Sequence, residues 1–593
     1  MTSAGSRRTR VACALTETRQ AFIGIAALSA VTNILMLTGP LFMMQVYDRV
    51  LTSRSVPTLV ALTVLAMGIY AFLGVLEMMR AKILLQIGRR LDEQLSDPTF
   101  STVLTLPLNM PKGDAVSQPL RDLDQIRTFL SGSGPIAIFD LPWMPLYIGI
   151  LYLFHPYFGY AAIAGAAFLL ALTITSEFLL RDPTRRLSQL VSSRWEMVEA
   201  GKRNAEPLHA MGMRGAYAAR FEDINRRYVD GQSATSDLTA SFSAVSKIFR
   251  MALQSVILAL GAWLVIQQLA SPGAIIASSI LTSKALSPIE MVIGQWRSFI
   301  NARQSRRRLE DVLERFGDGR TPMPLPAPKR SLSVAGLAVA APGGAKPIIH
   351  DISLSLFAGQ GLGVIGPSGS GKSTLSRALV GIWPALRGSI RLDGAALNQF
   401  DPEALGPSIG YLPQGVDLFD GTIAENISRF SADASPTLVI EAAKLAGVHD
   451  LVLSMPDGYD TAVGNHGAIL SSGQRQRIGL ARALYGKPFL IVLDEPNANL
   501  DSEGEMALTR AIQAVRASGS IIIVVAHRPN ALQALDHVLV MSAGSMVAFG
   551  PRDEVLRRTT RQPGEETPAP AGPLPATGEK QTPDGKTGKR IAV

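Results

Sequence analysis

The first half of the chain alternates long stretches without charge and long polar ones. Residues 21–47 and 55–76 carry no charged side chain, and each exceeds the ~20 residues that a helix needs to cross a bilayer. Two more apolar stretches, 135–154 and 157–176, are divided only by His155-Pro156, which predicts a helical hairpin with a tight return. Residues 251–283 form an uncharged run of 33 residues, too long for one straight span, and Ser271-Pro272-Gly273 divides it. The sixth helix then continues past Lys284 towards Trp296. Six spans are predicted.

Between the spans, residues 80–134 and 181–250 are long, polar and arginine-rich, whereas the connections near 48–54, 155–156 and 270–273 are short. Arginine excess places the long stretches and both termini in the cytoplasm. Arg49 and Arg54 then fall outside, against the trend. The long stretches hold few helix breakers, so the spans are expected to extend well beyond the bilayer.

The pattern changes after the proline-rich "TPMPLPAPKR". Residues 331–556 alternate short apolar runs with helical segments, as in an α/β domain. The closing residues, 557–593, are rich in Pro, Gly and Thr and are expected to be disordered. The predicted organisation is a cytoplasmic tail (1–19), an all-α transmembrane domain with long helical extensions (20–315), a linker (316–330), an α/β phosphate-loop domain (331–556) and a tail.

Composition narrows this picture. At 593 residues, 47% hydrophobic and mean hydropathy +0.21, the chain reads as a membrane component. The net charge of +9 fits positive loops on the cytoplasmic side of a membrane protein. With no basic run interleaved with aromatics, a nucleic-acid partner is not expected. The single cysteine, Cys13, excludes an intrachain disulfide and a zinc cluster. The first twenty residues lack the apolar core of a cleaved signal and read as a tail.

The candidate chemistry lies in the second half. In "GLGVIGPSGSGKSTLSRAL", residues 366–373 fit G-x-x-x-x-G-K-[ST] between an apolar run and a helical pattern. Gly366, Pro367, Ser368, Gly369, Ser370 and Gly371 would wrap backbone N–H groups round phosphate oxygens at a helix start that runs on through Thr374. Lys372 would bring a positive charge to the β- and γ-phosphates of ATP, and Ser373 would hold Mg²⁺. "FLIVLDEP" ends a buried strand on Asp494 and Glu495, an Mg²⁺ carboxylate and a general base for the attacking water. "IIIVVAHRP" ends another strand at His527, a candidate γ-phosphate sensor. By itself Gln414 in "YLPQ" is only a polar residue after a strand.

Together these motifs resemble the nucleotide-binding domain of ABC transporters. Lys372 and Ser373 match the Walker A loop, Gln414 the Q-loop, Leu470 to Gln474 the signature, Asp494 and Glu495 Walker B, Leu500-Asp501 the D-loop and His527 the switch histidine. The resemblance makes Gln414 a further catalytic and Mg²⁺-site residue. It implies a homodimer whose ATPase domains pack head to tail. Ser471, Ser472, Gly473 and Gln474 of one subunit, with Asp501, would then complete the ATP site of the other. "NAEPLHAMGMRG" is the segment expected to meet the Q-loop region.

Three departures from the family pattern stand out. Ser472 occupies a usual glycine position, "LAVAAPGGAK" lacks an adenine-stacking aromatic, and Asn465 stands where exporters often have Glu.

The membrane half, in "GPLFMMQVYDRVLTSRSVPTL", "FDLPWMPLYIGILYLFHP" and "SPIEMVIGQWR", resembles the permease/ATPase subunits of bacterial type I secretion systems of the protease- and lipase-exporter type. Asn497 and Asn499 in "DEPNANLD" fit the same group. The resemblance implies ATP-driven export of an unfolded protein with a C-terminal signal across the inner membrane. It also implies a periplasmic adaptor and an outer-membrane tunnel protein as partners, with membrane lipids around the spans. An exporter of peptides, lipids or drugs is the alternative on the same scaffold. A cytosolic ABC ATPase and a membrane scaffold without turnover are more distant rivals. Asp140, near the cytoplasmic end of the third span, is expected to cap the helix start at Leu141-Pro142, or else to line the access path.

Overall fold

A computed structural model describes residues 10–109, 118–316, 325–464, 467, 469–526 and 532–560. It divides into two compact units, one helical up to residue 316 and one α/β from residue 325.

The helical unit has six helices long and apolar enough to cross a membrane, among the described residues: Arg19–Ser53, Val56–Asn109, Ser133–Phe154, Pro156–Arg203, Arg214–Ile266 and Pro272–Phe316. The count matches the charge-free runs. The 54 residues of the second helix correspond to about 80 Å, against a hydrocarbon core of about 30 Å. Helical backbone therefore continues through the polar stretches. The breaks fall at residues that oppose helix: Arg54 in the left-handed region (φ 50°), extended His155 (ψ 139°) and the turn before Pro272. Residues 204–215 form a tight reversal containing the short helix Ala205–Ala210.

The first helix loosens into a π turn at Val46–Val50, and this turn carries Asp48. The Asp48 carboxylate accepts bonds from the Ser271 hydroxyl (2.6 Å) and the Gly273 amide (2.7 Å). It thereby satisfies open donors at the start of the sixth helix.

Five buried residues with polar groups on the first three spans form one connected set. Arg80 on the second helix pairs with Asp140 on the third at 3.0 Å, with side-chain exposures of 6% and 12%. Asn33 on the first helix donates to Asp140, Arg80 also donates to the Ser29 hydroxyl, and the Tyr147 hydroxyl donates to the Asn33 carbonyl. Asp140 makes no side-chain cap at Leu141–Trp143. The capping expectation is thus corrected: its carboxylate is taken by an arginine that the sequence places sixty residues away. Further pairs, Arg250–Glu290 and Trp296 to Glu177, join the fifth and fourth helices to the sixth.

Within the nominal N-terminal tail, Arg10–Glu17 is helical, and Val11 and Ala14 pack against Leu91, Leu95, Leu123, Leu309 and Leu313.

The α/β unit is built on ten strands: β1 Ser331–Ala340, β2 Pro347–Phe357, β3 Gly361–Ile365, β4 Arg387–Leu392, β5 Ala395–Ala396, β6 Ile409–Leu412, β7 Leu490–Asp494, β8 Ile521–Val525, β9 His537–Ser542 and β10 Ser545–Pro551. Their order is β5-β4-β1-β2-β10-β9-β3-β8-β7-β6. The run β9-β3-β8-β7-β6 is parallel, whereas β1 pairs antiparallel with β2 and β4. β7 (LIVLD) and β8 (IIIVV) are buried at every residue, as unbroken apolar runs require when both faces of a parallel sheet are covered. One apolar cluster around Ile478, Leu493 and Leu508 and another around Leu375, Val364 and Leu539 supply that cover. The final helix, Arg552–Thr560, runs four residues past the expected boundary at 556. The rest of the expected disordered tail lies outside the described residues.

Candidate active site

In parallel strands, all C-terminal ends face the same edge of the sheet, where open α/β folds bind ligands. β3 ends there in the loop that precedes the helix Lys372–Leu379, β7 ends there on Asp494, and β6 ends there two residues before Gln414. Topology therefore gathers three motifs that are far apart in sequence. β8 ends on the same edge two residues before His527, but His527 itself lies outside the described residues, as does Asn465.

The loop needs its glycines for space as well as for turning. Gly366 has φ 152°, and a Cβ on it would run into the Met541 carbonyl of β9. Gly371 precedes the helix in the left-handed conformation (φ 94°). Lys372 is 6% exposed, and its ammonium donates to the carbonyls of Gly366 (2.9 Å) and Pro367 (3.0 Å), so the loop is closed round its own lysine.

Asp494 is 1% exposed, and among the described residues neither carboxylate oxygen accepts a hydrogen bond of good geometry, the Ser373 hydroxyl being the donor that lies near it. Burial pushes its carboxyl pKa up, and the Glu495 carboxylate adds to this. The Ser373 hydroxyl and the charges of Arg377 and Lys372 act the other way. An unpaired buried carboxylate costs several kcal/mol unless it is compensated. A hydroxyl and a carboxylate on this edge are a hard-oxygen donor pair that fits Mg²⁺. Glu495, half-buried, has φ 52°, and its amide donates to the Val525 carbonyl at 3.1 Å. A non-glycine residue in the left-handed region is strained, and such strain clusters at functional sites. Gln414 is exposed on the loop after β6.

The signature segment forms a different assembly. Ser471 caps the helix Ser472–Leu484: its hydroxyl accepts from the Gln474 amide, and the Gln474 side chain accepts from the Ser471 amide, a reciprocal capping box. Ser472 is exposed at the first helical position and does not adopt positive φ, so the backbone there tolerates a side chain. The space-restricted position is Gly473, where a Cβ would stand 3.0 Å from the Asn499 carbonyl.

Two bonds to residues far along the chain follow: Gln476 donates to the Pro496 carbonyl and Arg477 to Asp501 at 2.6 Å. Asp501 also caps the helix Ser502–Ala517 through the Gly504 amide, and that bond, with Arg477 beside it, holds its pKa below the usual carboxylate value. Asp501, expected only as a nucleotide-site residue, thus has a structural task in its own subunit. Gln476 and Arg477 were not singled out from sequence, since a polar pair on a basic helix carries no local mark of its partner. Among the described residues, no hydrogen bond joins residues 471–474 to residues 366–374.

This geometry yields a paired expectation. Gly473→Ala needs the Asn499 carbonyl, four residues after Glu495, to yield by a few tenths of an ångström, and should lower steady-state ATP hydrolysis about tenfold or more. Ser472→Gly should cost at most about 1 kcal/mol of helix stability and leave hydrolysis within about twofold. Equal effects would refute the assignment of the tight contact to Gly473.

A phosphate loop, an acidic strand end and a capped helix on one α/β unit, beside six long apolar helices, define an ABC transporter. Comparison agrees: residues 22–287 match the ABC transporter transmembrane region and residues 349–498 the ABC transporter family. The fold resembles a bacterial Atm1-family ABC exporter with ATP bound (TM-score 0.78, 21% identity, 92% of this chain and 99% of that one).

The type I secretion system ATP-binding protein PrsD of Rhizobium meliloti is 50% identical over 562 residues, 95% of this chain and 96% of PrsD. The leukotoxin translocation ATP-binding protein LktB of Mannheimia haemolytica is 29% identical over 552 residues, 92% of this chain and 78% of LktB. The chain belongs to the ABC exporters that carry membrane and ATPase domains together, in the branch of the type I secretion ATP-binding proteins. It is an ATP-binding, ATP-hydrolysing, multi-pass membrane protein.

Proposed function

We propose that this chain drives an unfolded protein across the bacterial inner membrane as the permease and ATPase of a type I secretion system. The observation that carries the reading is the 50% identity with PrsD over nearly the full length of both chains. A homodimer would work with a periplasmic adaptor and an outer-membrane tunnel protein, on a cargo with a C-terminal signal. The ATPase domains (331–556) and both termini are cytoplasmic, and residues 20–315 form the membrane domain.

In this reading, residues 366–374 bind the ATP phosphates through backbone amides, and Lys372 places its ammonium against the β- and γ-phosphates. Ser373 and Asp494, with Gln414 beside them, would hold Mg²⁺, which when bound neutralises phosphate charge. Glu495 takes the proton of the attacking water, and His527 contacts the γ-phosphate. The helix start at Ser471, Ser472, Gly473 and Gln474 directs the open N–H groups of Ser472 and Gly473, framed by the Ser471–Gln474 capping box, at ATP held by the partner subunit. Binding joins the two ATPase domains and hydrolysis releases them. The long helical extensions carry that movement to the spans, with residues 204–215 as the contact to the Q-loop region.

The deciding experiment compares proteins secreted by cells carrying the wild-type chain and the Lys372→Ala variant. One or a few proteins should disappear from the medium and accumulate inside. An unchanged secretome, with altered lipid or drug export instead, would overturn the protein-export reading.

A further inference from the structure

A cavity of about 940 Å³ opens in the helical unit between the helix Pro119–Ser131 and the polar extensions of the fourth, fifth and sixth spans. Its charge is lopsided. Arg121, Arg181, Arg185, Arg297, Arg303 and Arg307 line it, and none has a carboxylate partner among the described residues. Arg308 also lines it but is already paired with Asp122. Of the other two acids in the wall, Glu177 accepts the Trp296 indole N–H, which leaves Asp182 as the one lining carboxylate with no described partner. The wall thus carries several positive charges that no neighbour cancels. In a concave site such charge focuses potential and concentrates anions.

The shape of this charge selects among anions. Arg297 to Arg307 spans ten helical residues, about 15 Å, and Arg181 and Arg185 stand on a second helix. A strip of that length matches about five residues of extended chain and is too long for one phosphate group. The rest of the wall is mainly Gln, Asn, Ser and Thr, with Leu187, Val191, Ile300 and Tyr228 as its apolar or aromatic residues. That leaves no apolar channel for acyl tails. A lone tyrosine is not the stacking platform that single-stranded nucleic acid uses.

We infer that this cavity receives an extended acidic segment of polypeptide, its Asp and Glu carboxylates meeting the guanidinium groups as charge-assisted, paired bonds. The inference rests on the protein-export reading and deepens it: the transporter would favour cargo carrying net negative charge where it enters these helices.

The test uses the full-length transporter in phosphatidylcholine nanodiscs and a fluorescein-labelled, unstructured Asp/Ser peptide, with Lys/Ser and Gly/Ser peptides of equal length. The wild type should bind the acidic peptide best, and added salt should weaken that binding. Arg303→Gln/Arg307→Gln should weaken it about tenfold, whereas Arg303→Lys/Arg307→Lys should keep most of it. Arg303→Glu/Arg307→Glu should shift the preference to Lys/Ser. Unchanged basal ATP hydrolysis in each variant shows that the fold survives.

Equal binding of the three peptides, or no effect of the Gln variant, overturns the inference. So does displacement of the peptide by phosphatidylglycerol in the nanodisc, which would make the cavity a headgroup site. Peptide binding is read apart from secretion, so the two readings fail separately. A secretome unaffected by Lys372→Ala defeats export of protein, whereas a dependent secretome with no arginine effect on peptide binding defeats only the acidic site.

Discussion

Glu495→Gln should lower ATP turnover by about 10²–10⁴-fold, the range general-base catalysis supplies, while ATP binding is kept. That loss corresponds to about 3–5 kcal/mol of transition-state stabilisation. Glutamine has nearly the same shape, so it can occupy the strained position at φ 52° and keep the bond from its amide to the Val525 carbonyl. What it lacks is an oxygen able to take a proton from water. Asp494 does not replace it, because its buried carboxyl is the group the geometry fits to the cation. The measurement is single-turnover phosphate release with binding of a fluorescent ATP analogue as control. Turnover within about twofold of wild type would remove Glu495 from the role of base.

The second large effect is expected in the membrane half. Arg80→Leu should destabilise the helical unit by about 3–5 kcal/mol, the cost of leaving one member of a buried ion pair alone. Asp140 would then keep only the Asn33 amide as a close donor. Arg80→Leu/Asp140→Leu should recover much of the loss, since two apolar side chains leave no buried charge behind. Thermal unfolding in detergent, followed for both single variants and the double, gives the coupling directly. Strictly additive losses would mean that the pair contributes no coupling across the second and third helices.

Much of the architecture follows from short-range pattern. Charge-free runs such as 55–76 can satisfy their backbone in lipid only as helices, and Pro272 and His155-Pro156 mark breaks that the chain obeys. The phosphate loop was equally legible, because its spacing encodes one local backbone path. Asp140 was not. A carboxylate before Leu-Pro looks like a helix cap from its neighbours alone, and only the packing of the first three helices brings Arg80 and Asn33 to it. Ser472 and Gly473 show the same limit: sequence marked the serine as unusual, while the crowding lies at the glycine, against Asn499.

The sequence by itself determined the six spans, the α/β domain with its buried parallel strands and the path of the phosphate loop, since each depends on periodicity or on a motif a few residues long. Tertiary structure alone decided which distant side chains meet: Arg80 with Asp140, Arg477 with Asp501, Asp48 with the start of the sixth helix, and round one cavity the arginines that have no carboxylate partner among the described residues. Such meetings depend on how helices cross and strands order themselves, and side-chain polarity in sequence carries no record of the partner.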